Sequence, residues 1–293
     1  MGTWSALARQ LELQHGIRLL ESSALPVAGG DIHCAYRVES ESGPLFIKIN
    51  TDGRPDHFQA ELAGLQALAA TGCLRVPQPL ASGQAGQMAY LVLEWLELSP
   101  PGPDCAIRMG QGLAALHRNT AEFFGFSSDN YIGRTPQPNP CSGNWIDFFR
   151  EHRLGFQLDL AISNGFQFLR EDGRRLVSAL DELFVGHDPV PSLLHGDLWG
   201  GNWASLNNGA PVIFDPAVYY GDRETDLAMT RLFGGFSDNF YTAYEARWPM
   251  SEGWQRRSEL YQLYHVLNHV NLFGAGYARD AQLRINRLLS QLS

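Results

Sequence analysis

The sequence predicts an α+β chain in two parts, a small antiparallel sheet with one inserted helix followed by a larger, mainly helical region. Three observations carry this. Short apolar runs bounded by Gly, Pro and Asn crowd the first 95 residues, where one stretch switches to helical period. The tract SPPGPD (99–104) then interrupts both kinds of element, since prolines that close together continue neither a helix nor a ladder. Beyond it, helical periodicity dominates. The expected division is 1–95 and 96–293.

The start, MGTWSALARQLELQHG, sets Trp4, Leu7, Ala8 and Leu11 at helical spacing and lacks the basic head and long apolar stretch of a signal peptide. RLLESSALPVAGGDIHCAYRVES holds two strand-like runs around Gly29 and Gly30, and GPLFIKIN is a third. HFQAELAGLQALAATG carries Phe58, Leu62, Leu65, Leu68 and Ala69 as a stripe, with Gly72 as a stop. PQPLASG and MAYLVLEWLEL complete the sheet. CAIRMGQGLAALHRNT, NWIDFFREHRLGFQLDLAIS and REDGRRLVSALDELFVG read as helices, and helices resume from about Asp222. Between them, FGFSSDNYIGRTPQPNPCSG is expected to be a long loop, a feature that often carries function.

Bulk properties narrow the field. With 44% hydrophobic and 18% charged residues, the chain reads as globular. A net charge of −9 argues against a general nucleic-acid binder, which needs a basic face. The four cysteines show no metal-type spacing and fit reduced thiols, and no run approaches the ~20 apolar residues of a membrane span. The expected location is the cytoplasm, with no membrane partner.

The chemistry concentrates in a few residues. In LFIKI, alternation sets Phe46 and Lys48 on one face and Leu45, Ile47 and Ile49 on the other. A buried amine is costly unless paired, and Glu61 falls on the helical stripe that should face this sheet. The economical arrangement brings Lys48 and Glu61 together; a snorkelling edge lysine is the bland alternative. LLHGDLWGGNW (193–203) then presents Asp197 and Asn202 with four residues between them, and PVIFDP ends a strand on Asp215. That order matches the H-x-D-x-x-x-x-N pattern of phosphoryl transfer followed by an acid after a strand. A carboxylate to accept the hydroxyl proton would be Asp197. Hard oxygen ligands for Mg²⁺ would be Asn202 and Asp215, and Lys48 would meet the phosphates of ATP. Gly200 and Gly201 are expected to permit the tight turn. Zinc fails for want of a second His or Cys at ligand spacing, and a serine hydrolase for want of G-x-S-x-G.

LLHGDLWGGNW, VIFDPAVYYGDRETDLAMTRLFGGF and YQLYHVLNHVNLFGAGY closely resemble the fructosamine-3-kinase (ketosamine-3-kinase) family, and the likeness extends through VAGGDIHCAYRV, PLFIKIN and YLVLEWLEL. The resemblance implies a bilobal protein-kinase-like fold and ATP-dependent phosphorylation of the sugar 3-hydroxyl of a ketosamine, as a small molecule or on a glycated protein. It implies Glu94, Trp95 and Leu96 as the hinge whose backbone meets adenine, and Gly29 and Gly30 as a turn over the phosphates. Other small hydroxylated amines (choline, homoserine, an aminoglycoside) and a nucleotide-binding scaffold without activity remain as alternatives. His195 is followed by Gly196 rather than Arg and no A-P-E follows Asp215, which weighs against a protein kinase controlled by activation-loop phosphorylation.

The acceptor is expected near Asp197. Trp199 either stacks on a sugar or fills core, and Trp203 is read as core. His265, Asn268 and His269 are candidate sugar contacts because the resemblance covers their helix; a hydrogen-bonded core role is the usual one for such a histidine. Glu224 and Asp226 are expected to brace the catalytic turn from a helix start. Asp147 and Glu151 are either exposed helical acids or partners for a substrate ammonium.

Overall fold

The computed structural model describes residues 3–27, 34–51 and 55–292. Helix α1 (Thr3–His15) leads into a five-stranded antiparallel sheet of β1 (Leu25–Val27), β2 (Cys34–Ser40), β3 (Gly43–Asn50), β4 (Pro79–Ala85) and β5 (Met88–Glu94), ordered β1-β2-β3-β5-β4. Helix α2 (Asp56–Ala70) is inserted between β3 and β4. An acid at Asp56 suits its first turn, and Gly72, left-handed at φ 64°, ends it. The paired glycines Gly29 and Gly30 lie outside the described residues.

Alternation sorts the sheet into two apolar faces. Val38, Leu45, Ile47, Ile49, Tyr90 and Val92 pack with Leu7 and Leu11 of α1. Ala89, Leu91 and Leu93 face the other way, onto Phe58, Leu65 and Leu68 of α2 and onto the helical region. Lys48 and Phe46 share that second face, as the alternation of LFIKI requires.

The C-terminal region begins with β6 (Leu98–Ser99) and α3 (Pro103–His117), whose proline stands where a missing N–H costs nothing. The stretch expected to be a loop instead folds back as a hairpin, β7 (Asn130–Ile132) and β8 (Thr135–Gln137). Its stem is too short for alternation to register, and its stability comes from buried amides described below. Helices α4 (Trp145–Phe149) and α5 (Phe156–Ser163) are joined by a π-helical segment, Arg150–Gly155. There Gly155 is needed, because a Cβ would lie 2.4 Å from the Arg150 carbonyl oxygen. Then follow α6 (Arg170–Ser178), α7 (Leu180–Leu183), β9 (Ser192–Leu194), β10 (Trp203–Leu206), β11 (Pro211–Ile213), β12 (Tyr219–Gly221), α8 (Glu224–Leu232), α9 (Asp238–Arg247), α10 (Trp254–Phe273) and α11 (Ala275–Leu289). Strands β9 and β12 pair, as do β10 and β11, so two small ladders carry the turns that matter. No helix among the described residues is long and apolar enough to cross a membrane.

Candidate active site

The turn from His195 to Asn202 joins β9 to β10, and Phe214–Pro216 leaves β11 beside it. Two backbone bonds hold these turns together: Phe214 N–H donates to the Asn202 carbonyl at 3.1 Å, and Ala217 N–H to the His195 carbonyl at 2.9 Å. The glycine whose left-handed backbone the turn requires is Gly196; the pair at 200–201 is not left-handed. Gly196 is left-handed at φ 84°, and a Cβ there would lie 2.0 Å from the Ala217 carbonyl oxygen. Gly200 and Gly201 are needed for space: a Cβ on Gly201 would sit 2.3 Å from the Trp199 ring. Asn202 is buried and donates from Nδ2 to the Asp197 carbonyl at 2.8 Å and to Asp197 Oδ2 at 3.3 Å. Its carbonyl oxygen is thereby left for another partner. Among the described residues Asp215 is the one non-glycine with positive φ, 57°, a strained setting of the kind found where a side chain must be aimed.

Lys48 ties these turns to the sheet. Its Nζ donates to Glu61 Oε1 at 2.7 Å and to Asp215 Oδ1 at 2.6 Å, with the lysine only 7% exposed. Burial alone would lower its pKa, but the Asp215 and Glu61 charges outweigh it and hold the ammonium charged. Asp197 has no such cation among the described residues. Burial, then the nearby Asp215 and Asp226 charges, push its carboxyl up to about 7 against the Asn202 hydrogen bond. A carboxyl raised in this way beside a second acid suits a proton acceptor and a divalent-cation ligand side by side.

Behind the turn stands Asp226, fully buried near the start of α8. Its Oδ2 accepts from His195 N–H and its Oδ1 from Gly196 N–H, both at 2.8 Å, and His117 Nε2 lies 3.1 Å away. Burial raises its pKa, but these bonds and the His117 interaction hold the carboxyl low. Glu224, expected to share the bracing, instead takes a two-pronged bond from Arg257 at 2.8 and 2.9 Å. It sits two residues earlier on the helix, so it points to α10 rather than to the turn.

The groups line a cleft of about 1250 Å³, whose walls include Lys48, Glu61, Glu94, Trp95, Leu96, Asp197, Trp199, Asn202, Asp215, Asn268 and His269. A family model described as fructosamine kinase matches residues 3–291.

The chain belongs to the fructosamine kinase family.

It is 46% identical over 287 residues to a protein of Synechocystis sp. described as a probable ketoamine kinase, covering 98% of this chain and 97% of that one. It is 40% identical over 270 residues to the chloroplastic protein-ribulosamine 3-kinase of Arabidopsis thaliana, covering 91% and 82% respectively. A crystal structure from Haemophilus somnus, provisionally described as a fructosamine-3-kinase, superposes with a TM-score of 0.90 at 29% identity, covering 98% of each chain. The fold is thus the bilobal, protein-kinase-like α+β arrangement, and a fructosamine kinase is a phosphotransferase acting on a hydroxyl.

The residues expected on the acceptor side divide in the structure. Trp199 is 39% exposed at the cleft, while Trp203 is buried and stacks on Phe236 with ring centroids 5.1 Å apart. His269 donates from Nδ1 to the His265 carbonyl at 2.8 Å and lies within 4.9–5.5 Å of the Phe233, Phe273 and Tyr277 rings, which also line the cleft. Asn268 faces the cleft, with its Oδ1 held by Gln157 at 3.2 Å. His265 does not reach the cleft wall. It is 1% exposed, with no hydrogen-bond partner on either ring nitrogen among the described residues. It lies one turn before His269, rotated toward the buried Tyr264 side of α10. Asp147 and Glu151 pair with Arg150 and His152 and are not part of the wall. Sequence reasoning missed His57, Tyr131, Arg134 and the aromatic set Phe233, Phe273 and Tyr277. The unusual length of the 124–143 stretch was the one available signal for Tyr131 and Arg134.

Four histidines give the fold a pH limit. Burial lowers the pKa of His117, His195, His265 and His269, with His265, near His269, Asp226 and Arg153, brought to about 3. Each folded value lies below the unfolded ~6.5, so the unfolded chain binds more protons as pH falls through 6.5, and stability drops. For His265 alone the loss at pH 5 is about 2 kcal/mol. The thermal midpoint, followed by circular dichroism, should fall steadily from pH 7.5 to 5. A midpoint flat over that range contradicts neutral burial of these rings.

Proposed function

We propose that this protein transfers the γ-phosphoryl group of ATP to the 3-hydroxyl of a ketosamine, either a small glycated amine or one carried on a protein. The reading rests above all on Lys48, which bridges Glu61 and Asp215 in the cleft that also holds Asp197 and Asn202. Relatives named for ketoamines and protein-ribulosamine support the acceptor class. In this reading the sheet region, residues 1–95, forms the nucleotide side and 96–293 carries the catalytic turn and acceptor side.

The donor set fits magnesium. Asp215 is 45% exposed in its side chain and keeps Oδ2 for the cleft, and Asn202 keeps its carbonyl oxygen. Both are hard oxygens, with no sulfur or imidazole among them. When bound, the ion would neutralise charge on the phosphate oxygens and orient them. The chain's own residues do the rest. Lys48, kept charged and fixed by Glu61, contacts the phosphates. Glu94, Trp95 and Leu96 offer backbone groups to adenine, and Glu94 is itself fixed by Arg75 and Gln78 N–H. Asp197 accepts the hydroxyl proton as the acceptor oxygen bonds to the γ-phosphorus and the bond to ADP breaks. With its pKa brought near neutrality, Asp197 is basic enough to take that proton. The ring set around His269, together with Trp199 in the same cleft, gives the sugar apolar faces to lie against.

A coupled ADP-release assay across fructose-lysine, ribulose-lysine, choline, homoserine and an aminoglycoside tests this. Turnover is expected with the ketosamines, with the new phosphate at the 3-position by NMR. Turnover confined to choline, homoserine or the aminoglycoside would replace the proposed acceptor. Binding of Mg·ATP with no turnover of any acceptor would favour a scaffold.

A further inference from the structure

The hairpin of β7 and β8 is anchored far more firmly than a surface loop. Asn130 donates from Nδ2 to the Val218 carbonyl at 2.7 Å, and Gln137 from Nε2 to the Ala217 carbonyl at 3.1 Å and to Asn130 Oδ1 at 2.8 Å. Tyr264 donates its hydroxyl to Gln137 Oε1 at 2.6 Å, and Asn139, itself held by Arg153, donates to Asn130 Oδ1 at 3.0 Å. Asn130, Gln137 and Asn139 are all buried. A buried, satisfied amide network of this kind is rigid and specifies one position for what it carries. Its anchor, Ala217–Val218, lies two to three residues beyond Asp215.

The other end of the hairpin reaches the sheet side. The Tyr131 ring stacks on His57, with centroids 3.7 Å apart and planes 22° from parallel. His57 is in the first turn of α2, one turn before Glu61, which grips Lys48. The strut therefore joins the two elements that carry Lys48's partners. At its tip, Ile132 pairs with Thr135 across the two-residue turn Gly133-Arg134, with Gly133 at φ 63°, a Gly-X turn suited to hairpins.

Arg134 at that tip is exposed and lines the cleft. Among the described residues of the wall the cations are Lys48 and Arg134, against Glu61, Glu94, Glu97, Asp197 and Asp215. Lys48 is already engaged by two carboxylates, whereas Arg134 has no ion-pair or hydrogen-bond partner among the described residues. An unpaired guanidinium lining the same cleft as Lys48, Asp197 and Asp215, on a strut fixed to α2 through Tyr131 and His57, has the charge and the donor set for a terminal phosphate, which it can grip with two parallel N–H bonds.

We propose that Arg134 binds the transferred γ-phosphoryl group, held in place by the β7–β8 strut. This inference rests on the kinase reading above. In the transfer, the acceptor oxygen bonds to the γ-phosphorus and the bond to the β,γ-bridging oxygen breaks. ADP leaves with that electron pair, and the hydroxyl proton goes to Asp197. Arg134 donates N–H bonds to the equatorial oxygens throughout and exchanges no proton.

The test compares Mg·AMP-PNP with Mg·ADP by calorimetry on the full chain, wild type against Arg134→Ala and Arg134→Lys. Loss of charge-assisted bonds to one phosphate should weaken AMP-PNP about tenfold or more, leave ADP unchanged, and be partly restored by lysine. Because Arg134 is exposed at a turn, the thermal midpoint should not move. The proposal falls if AMP-PNP and ADP affinities are both unchanged or both fall equally. It also falls if only the acceptor KM rises, which would assign the guanidinium to the acceptor. A wild-type protein that binds neither nucleotide would instead remove the kinase reading itself.

Discussion

Replacing Asp197 with alanine should lower kcat by about 10²–10⁴-fold, the usual contribution of a positioned general base, while Mg·ATP binding persists. The expectation follows from the site's division of labour. Lys48, Glu61 and Asp215 form their own ion-paired unit, and removing Asp197 breaks none of its bonds. Asn202 loses only its weaker contact and keeps its 2.8 Å bond to the residue-197 carbonyl, so the turn stays closed. Stability should move the other way. Burial and the Asp215 and Asp226 charges raise the Asp197 pKa, so holding it ionised above its unfolded ~3.8 costs the folded state, and the cost is present at neutral pH. The alanine variant should therefore melt higher than wild type at pH 8, an activity-for-stability exchange common at active sites. Single-turnover kinetics and a melting curve read the two effects separately. Turnover within twofold of wild type would remove Asp197 as the proton acceptor.

Asp226→Ala should be the most damaging change to the fold around the turn. The carboxylate satisfies two buried N–H groups, of His195 and Gly196, and stands 3.1 Å from the fully buried His117. His117 is also tied to Tyr244 at 2.8 Å. Deleting one member of such a network leaves the others buried without partners, which costs about 3–5 kcal/mol. For a chain of this size that is a drop of about 10 °C in thermal midpoint. Activity should fall with it, because the Gly196 N–H bond holds the left-handed turn that presents Asp197. Asp226→Asn keeps one acceptor but turns an NH₂ toward a backbone N–H, so it should recover only part of the loss. A midpoint within about 2 °C of wild type for the alanine variant would show that water replaces the carboxylate.

Much of the site was legible because its signals are local. Strand alternation set Lys48 apart from Leu45, Ile47 and Ile49, and the helical stripe carried Glu61 to the same face. The spacing of Asp197 and Asn202 lies within one turn, and Asp215 within one strand end. Trp203 as core and Trp199 at the cleft differ by four residues in a turn, and only the packing of Phe236 separates them. His265 and His269 share a helix at one-turn spacing, yet one is hidden and the other lines the cleft, because α10 is buried on more than one face. Glu224 and Asp226 looked interchangeable as helix-start acids; the position of Arg257, on α10, captured one of them.

By itself the sequence determined the order of the two regions, the candidate phosphoryl-transfer groups and the faces on which they stand, since periodicity and short motifs are set by neighbours along the chain. The tertiary structure alone decided what each charge meets: Lys48 with Asp215 across 167 positions, Asp226 beneath Gly196, and a strut ending in Arg134 where a loop was expected. Those outcomes depend on the cost of leaving a buried charge or amide unpaired. That cost is settled only when distant segments close on one another.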